Sequence, residues 1–220
     1  GMHHSKHHKS NMKRIMLYTI FAMASSVSLT AQNMSDIIKD MPDSIMPLLT
    51  KNDRLDFIDY LASNMKAEVT NRLGGKSEMT TISNDYAHIK MTGSSEISFK
   101  LLPTISDTII CMIHTYTSNG SDSKISFLNK RWEVLTTENY FEQPSTDKFI
   151  SLPDTLTNTE KENLKNKVYI PFIKAENSKD NLELKLTLTT PKYMNTDDSK
   201  AIAPYINSEI TMKWNGQRFE

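Results

Sequence analysis

Cysteine is almost absent from this sequence: Cys111 stands alone in 220 residues. No intramolecular disulfide can form, so stability has to come from an ordinary apolar core. Glycine is nearly as scarce, at six residues, and the chain contains no Walker A loop, no Gly-x-Gly-x-x-Gly, no His-Glu-x-x-His, no Gly-x-Ser-x-Gly and no Cys-x-x-Cys. Phosphate chemistry cradled by glycine loops is thereby excluded, and the zinc peptidases, nucleophile-elbow hydrolases and dithiol oxidoreductases lose their usual signatures. No cofactor is implied. A hydrolase built on two carboxylates stays open, because acids brought together by the fold leave no mark on the sequence.

Residues 12–31 have a positive start at Lys13 and Arg14, an uncharged run from Ile15 to Ala24 and a small-residue exit ending at Ala31. This is the pattern of a secretory signal peptide, with cleavage expected after Ala31. The run is half the roughly 20 residues a bilayer span requires, and serines follow at once, so no membrane span is expected in the mature chain. No cysteine follows the run, which leaves no site for a bacterial lipid anchor. Gly1 reads as an expression scar and His3 to Lys9 as a tag-like leader or an upstream start, with Met12 as the initiator. The expected location is the periplasm, the cell surface or the outside.

Removing 31 residues leaves 189 and takes away Lys6, Lys9, Lys13 and Arg14 but no acid, so 26 basic against 26 acidic residues become 22 against 26. A mildly acidic chain without clustered Lys and Arg argues against a nucleic-acid partner. Of six histidines only His88 and His114 remain, too few with Cys111 for a zinc site unless carboxylates complete it.

The mature start is helical in character. Ser35 is placed to cap residues 36–41, Pro42 interrupts, Ser44 opens another turn, and Asn52 is placed to cap a helix through Met65 whose apolar face is Leu55, Ile58, Leu61, Ala62 and Met65. Gly74-Gly75 closes this region. From Glu78 the period falls to two: Ala87, Ile89 and Met91 alternate with Tyr86, His88 and Lys90, and Ile97, Phe99 and Leu101 with Glu96, Ser98 and Lys100. Residues 108–116 are apolar at both sets of positions, which predicts a central strand. Asn119-Gly120 signals a hairpin returning through Ile125, Phe127 and Trp132. Residues 78–136 therefore read as an antiparallel meander.

Residues 142–157 read as a connection, and Thr157 with Glu160 has capping-box spacing before a helix to about Lys167. Two further strands are expected, over Leu182, Leu184, Leu186 and Leu188 and over Ile210, Met212 and Trp214, with a short helix at 197–203 between them. Helix-then-strands thus occurs twice, each time closing near a tryptophan, the outline that an internal duplication would give.

The stretch Met41-Pro42-Asp43-Ser44-Ile45-Met46-Pro47-Leu48-Leu49-Thr50 and the later Asn71-Arg72-Leu73-Gly74-Gly75-Lys76, behind a signal peptide, resemble an uncharacterised exported Bacteroidales family known only as domain of unknown function 3256. The resemblance covers most of the mature chain. It implies an envelope protein of gut-type anaerobes and carries over no catalytic or binding residue. It also implies O-glycosylation at Asp-Ser/Thr-aliphatic sequences, which Asp43-Ser44-Ile45, Asp107-Thr108-Ile109 and Asp154-Thr155-Leu156 match.

Three groups of residues are candidates for function. On the wetter face of the meander Tyr86, His88, Glu96, Lys100, His114 and Tyr116 carry acid, base and hydrogen-bonding groups, although strand order puts His88 and His114 roughly 10 Å apart. Trp132, Tyr140 and Phe141 are aromatic groups of the kind that bind sugars or proteins, with Trp132 flanked by charged residues and Trp214 expected in the core. Asp53, Asp56 and Asp59 share a helix face, and Asp197-Asp198 opens a helix; both read as solvated or dipole-favoured acids, and no calcium-loop spacing accompanies them. Cys111, in the most apolar strand, reads as an inert small hydrophobe.

The reading is an α+β protein: a leader over 1–31, N-terminal helices packed on an antiparallel meander over 32–141, a connection over 142–157, and a smaller helix-plus-strands unit over 158–220 that belongs to the same domain or to a second. Its expected function is noncatalytic binding or interaction in the bacterial envelope, with an unknown protein or glycan ligand and an oligomeric state the sequence does not set. The rivals are an envelope glycan or peptide hydrolase using paired carboxylates, and an assembly or inhibitor module that grips a protein through a sheet face.

Overall fold

The computed structural model describes residues 33–207 and 209–220, and the leader and signal peptide read over 1–31 lie outside them. The chain has α+β architecture: a six-stranded antiparallel sheet, a three-stranded antiparallel sheet and a few helices. Helices α1 (Met34–Lys39) and α2 (Lys51–Ala62) are followed by strands β1 (Ala67–Thr70), β2 (Lys76–Ile82), β3 (Tyr86–Thr92), β4 (Ser95–Pro103), β5 (Thr108–Thr117) and β6 (Ser121–Asn129). These six strands pair in chain order as a meander. After a long connection come α3 (Asn158–Asn166), β7 (Ile173–Asn177), β8 (Glu183–Leu188), α4 (Thr196–Ile202) and β9 (Glu209–Lys213), the strands again pairing in chain order. Among the described residues no helix is long and apolar enough to cross a membrane.

Caps decide the helix ends, and two differ from the expectation. Asn33, not Ser35, caps α1, its side chain accepting from the Asp36 amide at 3.1 Å. Thr50, not Asn52, caps α2: its hydroxyl accepts from Asp53 N at 3.0 Å while the Asp53 carboxylate accepts from Thr50 N at 2.9 Å. Two backbone donors left free by the first turn are satisfied at once, an arrangement Asn52 has no partner to build. The reciprocal pair at Thr157 and Glu160 opens α3 as the spacing requires.

The register moves the apolar face of α2 as well. Arg54, Phe57 and Ile58 are buried, Leu55 and Leu61 are half-buried and Met65 is exposed beyond the helix end. Gly74-Gly75 closes a β1–β2 hairpin whose first strand has only four residues. Asn71 shapes that turn, its Oδ1 accepting from Leu73 N at 3.0 Å and Gly75 N at 3.2 Å.

The six-stranded sheet is apolar on both faces where it is central. Ile89, Phe99, Leu101, Ile110 and Leu128 share one core with Ile37, Ile38, Phe57 and Trp132. Leu102, Ile109, Cys111, Ile113 and Phe127, on the other face, share a second core with Ile173, Ala175, Leu184, Leu186 and Phe219. One face is thus covered by the N-terminal helices and the other by the small sheet, which explains why β5 is apolar at every position that matters.

Strand β7 crosses the face of the large sheet and is stitched to it by side chains rather than by a ladder. Ile173 N donates to Asp122 Oδ1 at 3.0 Å and Ala175 N to Ser123 Oγ at 2.9 Å, both acceptors lying on β6. Farther along, Asn177 Nδ2 donates to Ser98 Oγ and to the Cys111 carbonyl, both at 3.4 Å. The buried Lys100 ammonium donates to Lys179 O at 3.4 Å and pairs with Asp85 at 2.9 Å. Near the start of β6, Thr189 is hydrogen-bonded to both the amide and the carbonyl of Ser121, and the Tyr193 hydroxyl donates to Gly120 O at 3.0 Å.

Gly120 is required by that approach. A Cβ built on it would lie 2.6 Å from Tyr193 Cε2 and 2.9 Å from the Thr189 carbonyl oxygen, a backbone atom that also accepts from Lys192 N at 3.0 Å. Gly120→Ala is expected to cost about 1–3 kcal/mol by overpacking. A guanidinium denaturation curve superimposable on that of the wild type would refute this account of the junction.

Candidate functional site

Where β7 leaves the edge of the large sheet, a polar cleft of about 400 Å³ opens between the two layers. Its floor is the face of β2–β5 that carries Thr80, Thr81, Tyr86, His88, Glu96, Ser98 and Thr115, and its wall is Lys174 to Asn177 of β7 together with Lys179. The volume lies within the range of small-molecule sites. Among the described residues no group of three or more His, Cys, Asp and Glu side chains is arranged to hold a metal.

A β-bulge builds the floor. The pairing of β2 with β3 shifts register between Met79 and Thr81, so that Thr80 and Thr81 together face His88. A bulge of this kind frees one residue from the ladder and re-aims its side chain. Here the Thr80 hydroxyl lies 2.6 Å from His88 Nδ1. The other ring nitrogen, Nε2, is 3.3 Å from Glu96 Oε2. Because the carboxylate only accepts, it fixes the neutral imidazole as the Nε2–H tautomer and leaves Nδ1 to accept the Thr80 proton.

The remaining groups complete the surroundings. Burial first, and then the charges of Glu96 and Glu176, push the Tyr86 phenol above its ordinary range, so it is a neutral hydrogen-bond donor at physiological pH. Glu176 is held by Lys174 at 3.4 Å and Lys185 at 3.3 Å. Asn177 is 8% exposed, both its hydrogen bonds are made by Nδ2, and its Oδ1 has no partner. Its orientation follows from the Cys111 carbonyl, which requires a donor.

Of the seven aromatic and imidazole candidates read from the sequence, only Tyr86 and His88 line the cleft. His114 and Tyr116 are on the opposite face, because His88 pairs with Ser98 and Ser98 with Ile113, which turns His114 toward the helix side with Ile97. There the two rings stack at 4.2 Å, Tyr116 being exposed, and burial followed by Lys124 holds the His114 imidazole below its ordinary range. Lys100 shares the cleft's face but is spent on Asp85.

Trp132 corrects the expectation of a surface aromatic: it is 4% exposed, edge-on to Phe99 at 5.4 Å, with its indole N–H donating to Ile37 O at 2.9 Å. Tyr140 is half-buried against Phe127 at 5.2 Å, and Phe141 is buried in the second core. Trp214 is buried as expected, its N–H donating to Pro103 O at 2.7 Å. The Cys111 thiol is pushed up to about 12 by burial, which makes it inert. Asp53 is spent on its capping box, and Asp198 on Lys167 and then Asn195, whose hydrogen bonds hold its carboxyl below the usual range. Among the Asp-Ser/Thr sequences, Ser44 and Thr155 are exposed and Thr108 is half-buried.

The sequence reading missed Thr80, Asn177, Lys174 and Glu176. The only available signal was weak: residues 173–177 alternate, but with Ala and Asn at two of the three buried positions.

The fold and its sequence have known counterparts. A solved domain of an uncharacterized protein from Porphyromonas gingivalis W83 superposes with a TM-score of 0.76 at 19% identity, covering 87% of this chain and 98% of that one. At that identity the likeness shows the fold. No curated protein matches the chain. The family profile described as "Protein of unknown function (DUF3256)" matches residues 26–219, and the chain belongs to that family.

Proposed function

We propose that this chain is an exported binding protein of the bacterial envelope whose inter-sheet cleft takes a small polar ligand of glycan type. The observation that carries the reading is Asn177 Oδ1, an acceptor in a side chain more than nine-tenths buried at the cleft wall and left without a donor. An unsatisfied buried acceptor costs about 1–3 kcal/mol, and a ligand N–H or O–H would return it once the Asn177 amide, whose Oδ1 is itself occluded, turns toward the cleft. The lining favours a hydroxylated ligand over an apolar one, since Thr80, Thr81, Tyr86, Ser98 and Thr115 all present hydroxyls. Secretion rests on the leader pattern at 12–31.

A hydrolase using paired carboxylates finds less support here. Of the two acids of the cleft, Glu96 is engaged by the His88 imidazole and Glu176 by Lys174 and Lys185.

The test is isothermal titration of the full chain with a panel of neutral and N-acetylated mono- and disaccharides at millimolar concentration. At least one member is expected to bind, and Asn177→Leu and the milder Tyr86→Phe each to weaken it, Asn177→Leu by about tenfold or more. No heat from any member, or equal affinity in both variants and the wild type, would overturn the reading.

A further inference from the structure

The cleft holds more polar machinery than binding needs. Thr80, His88 and Glu96 lie on three adjacent strands as hydroxyl, imidazole and carboxylate in series, with spacings of 2.6 Å and 3.3 Å. This is the order of nucleophile, base and orienting acid by which a hydroxyl is activated for acyl transfer, and such a series is recognised by geometry rather than by position in the chain. The bulge at Thr80 adds an independent observation, because a regular ladder would give His88 one facing residue on β2, and the extra residue is the one that reaches the imidazole. We propose that Thr80 is a nucleophile that His88 activates for the cleavage of carboxylic esters of polar, hydroxylated alcohols. The inference rests on the cleft being a binding site.

The step balances without an added oxidant or cofactor. Thr80 Oγ1 forms a bond to the ester carbonyl carbon while its proton passes to His88 Nδ1; the tetrahedral adduct collapses, the carbon–oxygen bond to the alcohol breaks, and the leaving oxygen takes the proton from Nδ1. Water then adds to the acyl-threonine, giving its proton to Nδ1, and Thr80 Oγ1 leaves with that proton as the carboxylic acid is released. Glu96 is a positioning residue: it accepts from Nε2–H, fixes the tautomer and stabilises the imidazolium of each half-reaction. The Tyr86 hydroxyl, in the same cleft, is a neutral donor available to the carbonyl oxygen as charge develops on it.

The test is acylation of the full chain with p-nitrophenyl acetate, followed by peptide mapping and by release with hydroxylamine, which cleaves an ester and spares acetylated lysine. Acetyl is expected on Thr80, absent in Thr80→Val, present again in Thr80→Ser, and formed about 10²–10⁴ times more slowly in His88→Gln. Glu96→Gln is expected to lower the maximal acylation rate while the half-saturating concentration of p-nitrophenyl acetate stays in place, a split that a loosened fold does not produce. Acetylation confined to lysine, or undiminished ester labelling in Thr80→Val, would overturn the relay, and would do so even where the saccharides bind. Labelling at Thr80 in a chain that binds no saccharide would overturn the glycan reading alone.

Discussion

Trp132→Ala is expected to lower the unfolding free energy by about 3–5 kcal/mol, enough to remove much of the stability of an ordinary domain. The indole is buried between the sheet and α1, meets Phe99 edge-on, and donates to the carbonyl of Ile37. Its loss leaves a cavity and an unsatisfied carbonyl together, and Trp132→Phe, which keeps most of the volume, should show the smaller part due to the hydrogen bond, about 1–3 kcal/mol. The backbone supplies a sharper check. Trp132 has a φ of 64°, in the left-handed region that costs a non-glycine residue about 1–2 kcal/mol. Trp132→Gly should therefore be more stable than Trp132→Ala despite removing one more carbon, and the reverse order in urea denaturation would contradict the strain.

Arg54→Leu is expected to cost about 2–5 kcal/mol, and Arg54→Lys to recover little of it. The guanidinium, 1% exposed, donates to Leu49 O at 3.2 Å and Met41 O at 2.7 Å and pairs with Asp43 at 3.0 Å. Each buried carbonyl left without a donor costs about 1–3 kcal/mol. Lysine, a single point charge, does not reproduce a planar fork that spans two carbonyls. Asp43 is half exposed, so its ion pairs with Arg54 and Arg72 contribute less, and Asp43→Asn should cost under about 1 kcal/mol. The measurement is the denaturation midpoint of the three variants against the wild type; an Asp43→Asn effect as large as that of Arg54→Leu would show that the ion pair, not the carbonyl clamp, holds the turn.

These contacts give physical content to the two stretches that resemble the family. Residues 41–50 form the turn that Arg54 clamps, and Arg72 of the second stretch donates its amide to Leu48 O at 3.0 Å while its side chain reaches Asp43 at 3.4 Å. The two motifs meet in space and build one corner, and neither lines the cleft. The residues by which the chain resembles its family are thus architectural, and the candidate chemistry lies elsewhere.

What the sequence made legible follows the strength of its patterns. Strands β3 and β4 were readable because Ala87, Ile89, Met91, Ile97, Phe99 and Leu101 all turn to one core, leaving polar groups on the other face. Strand β5 was readable as central for the opposite reason, that both its faces are buried, but this same property hid which face each residue takes. His114 was therefore grouped with His88, although the ladder carries them to opposite sides. Strand β1 is four residues long, too short for an alternation to stand out, and the sequence reading assigns residues 67–70 no strand. Trp132 was misplaced because its neighbours Lys130, Arg131 and Glu133 are charged, whereas a left-handed turn at one residue can bury a side chain amid solvated ones. The cleft was half legible: Tyr86, His88 and Glu96 share a face by simple alternation, but the bulge that brings Thr80 to His88 and the crossing of β7 that brings Asn177 depend on register and packing across layers.

If the space between the sheets is a ligand site, a bound sugar must be seen in it. This is tested most directly by a crystal structure of the chain with the tightest-binding saccharide of the panel. The sugar is expected against β7, with an N–H or O–H about 2.7–3.2 Å from Asn177 Oδ1. A sugar seated elsewhere, with only water beside Asn177, would contradict the ligand site.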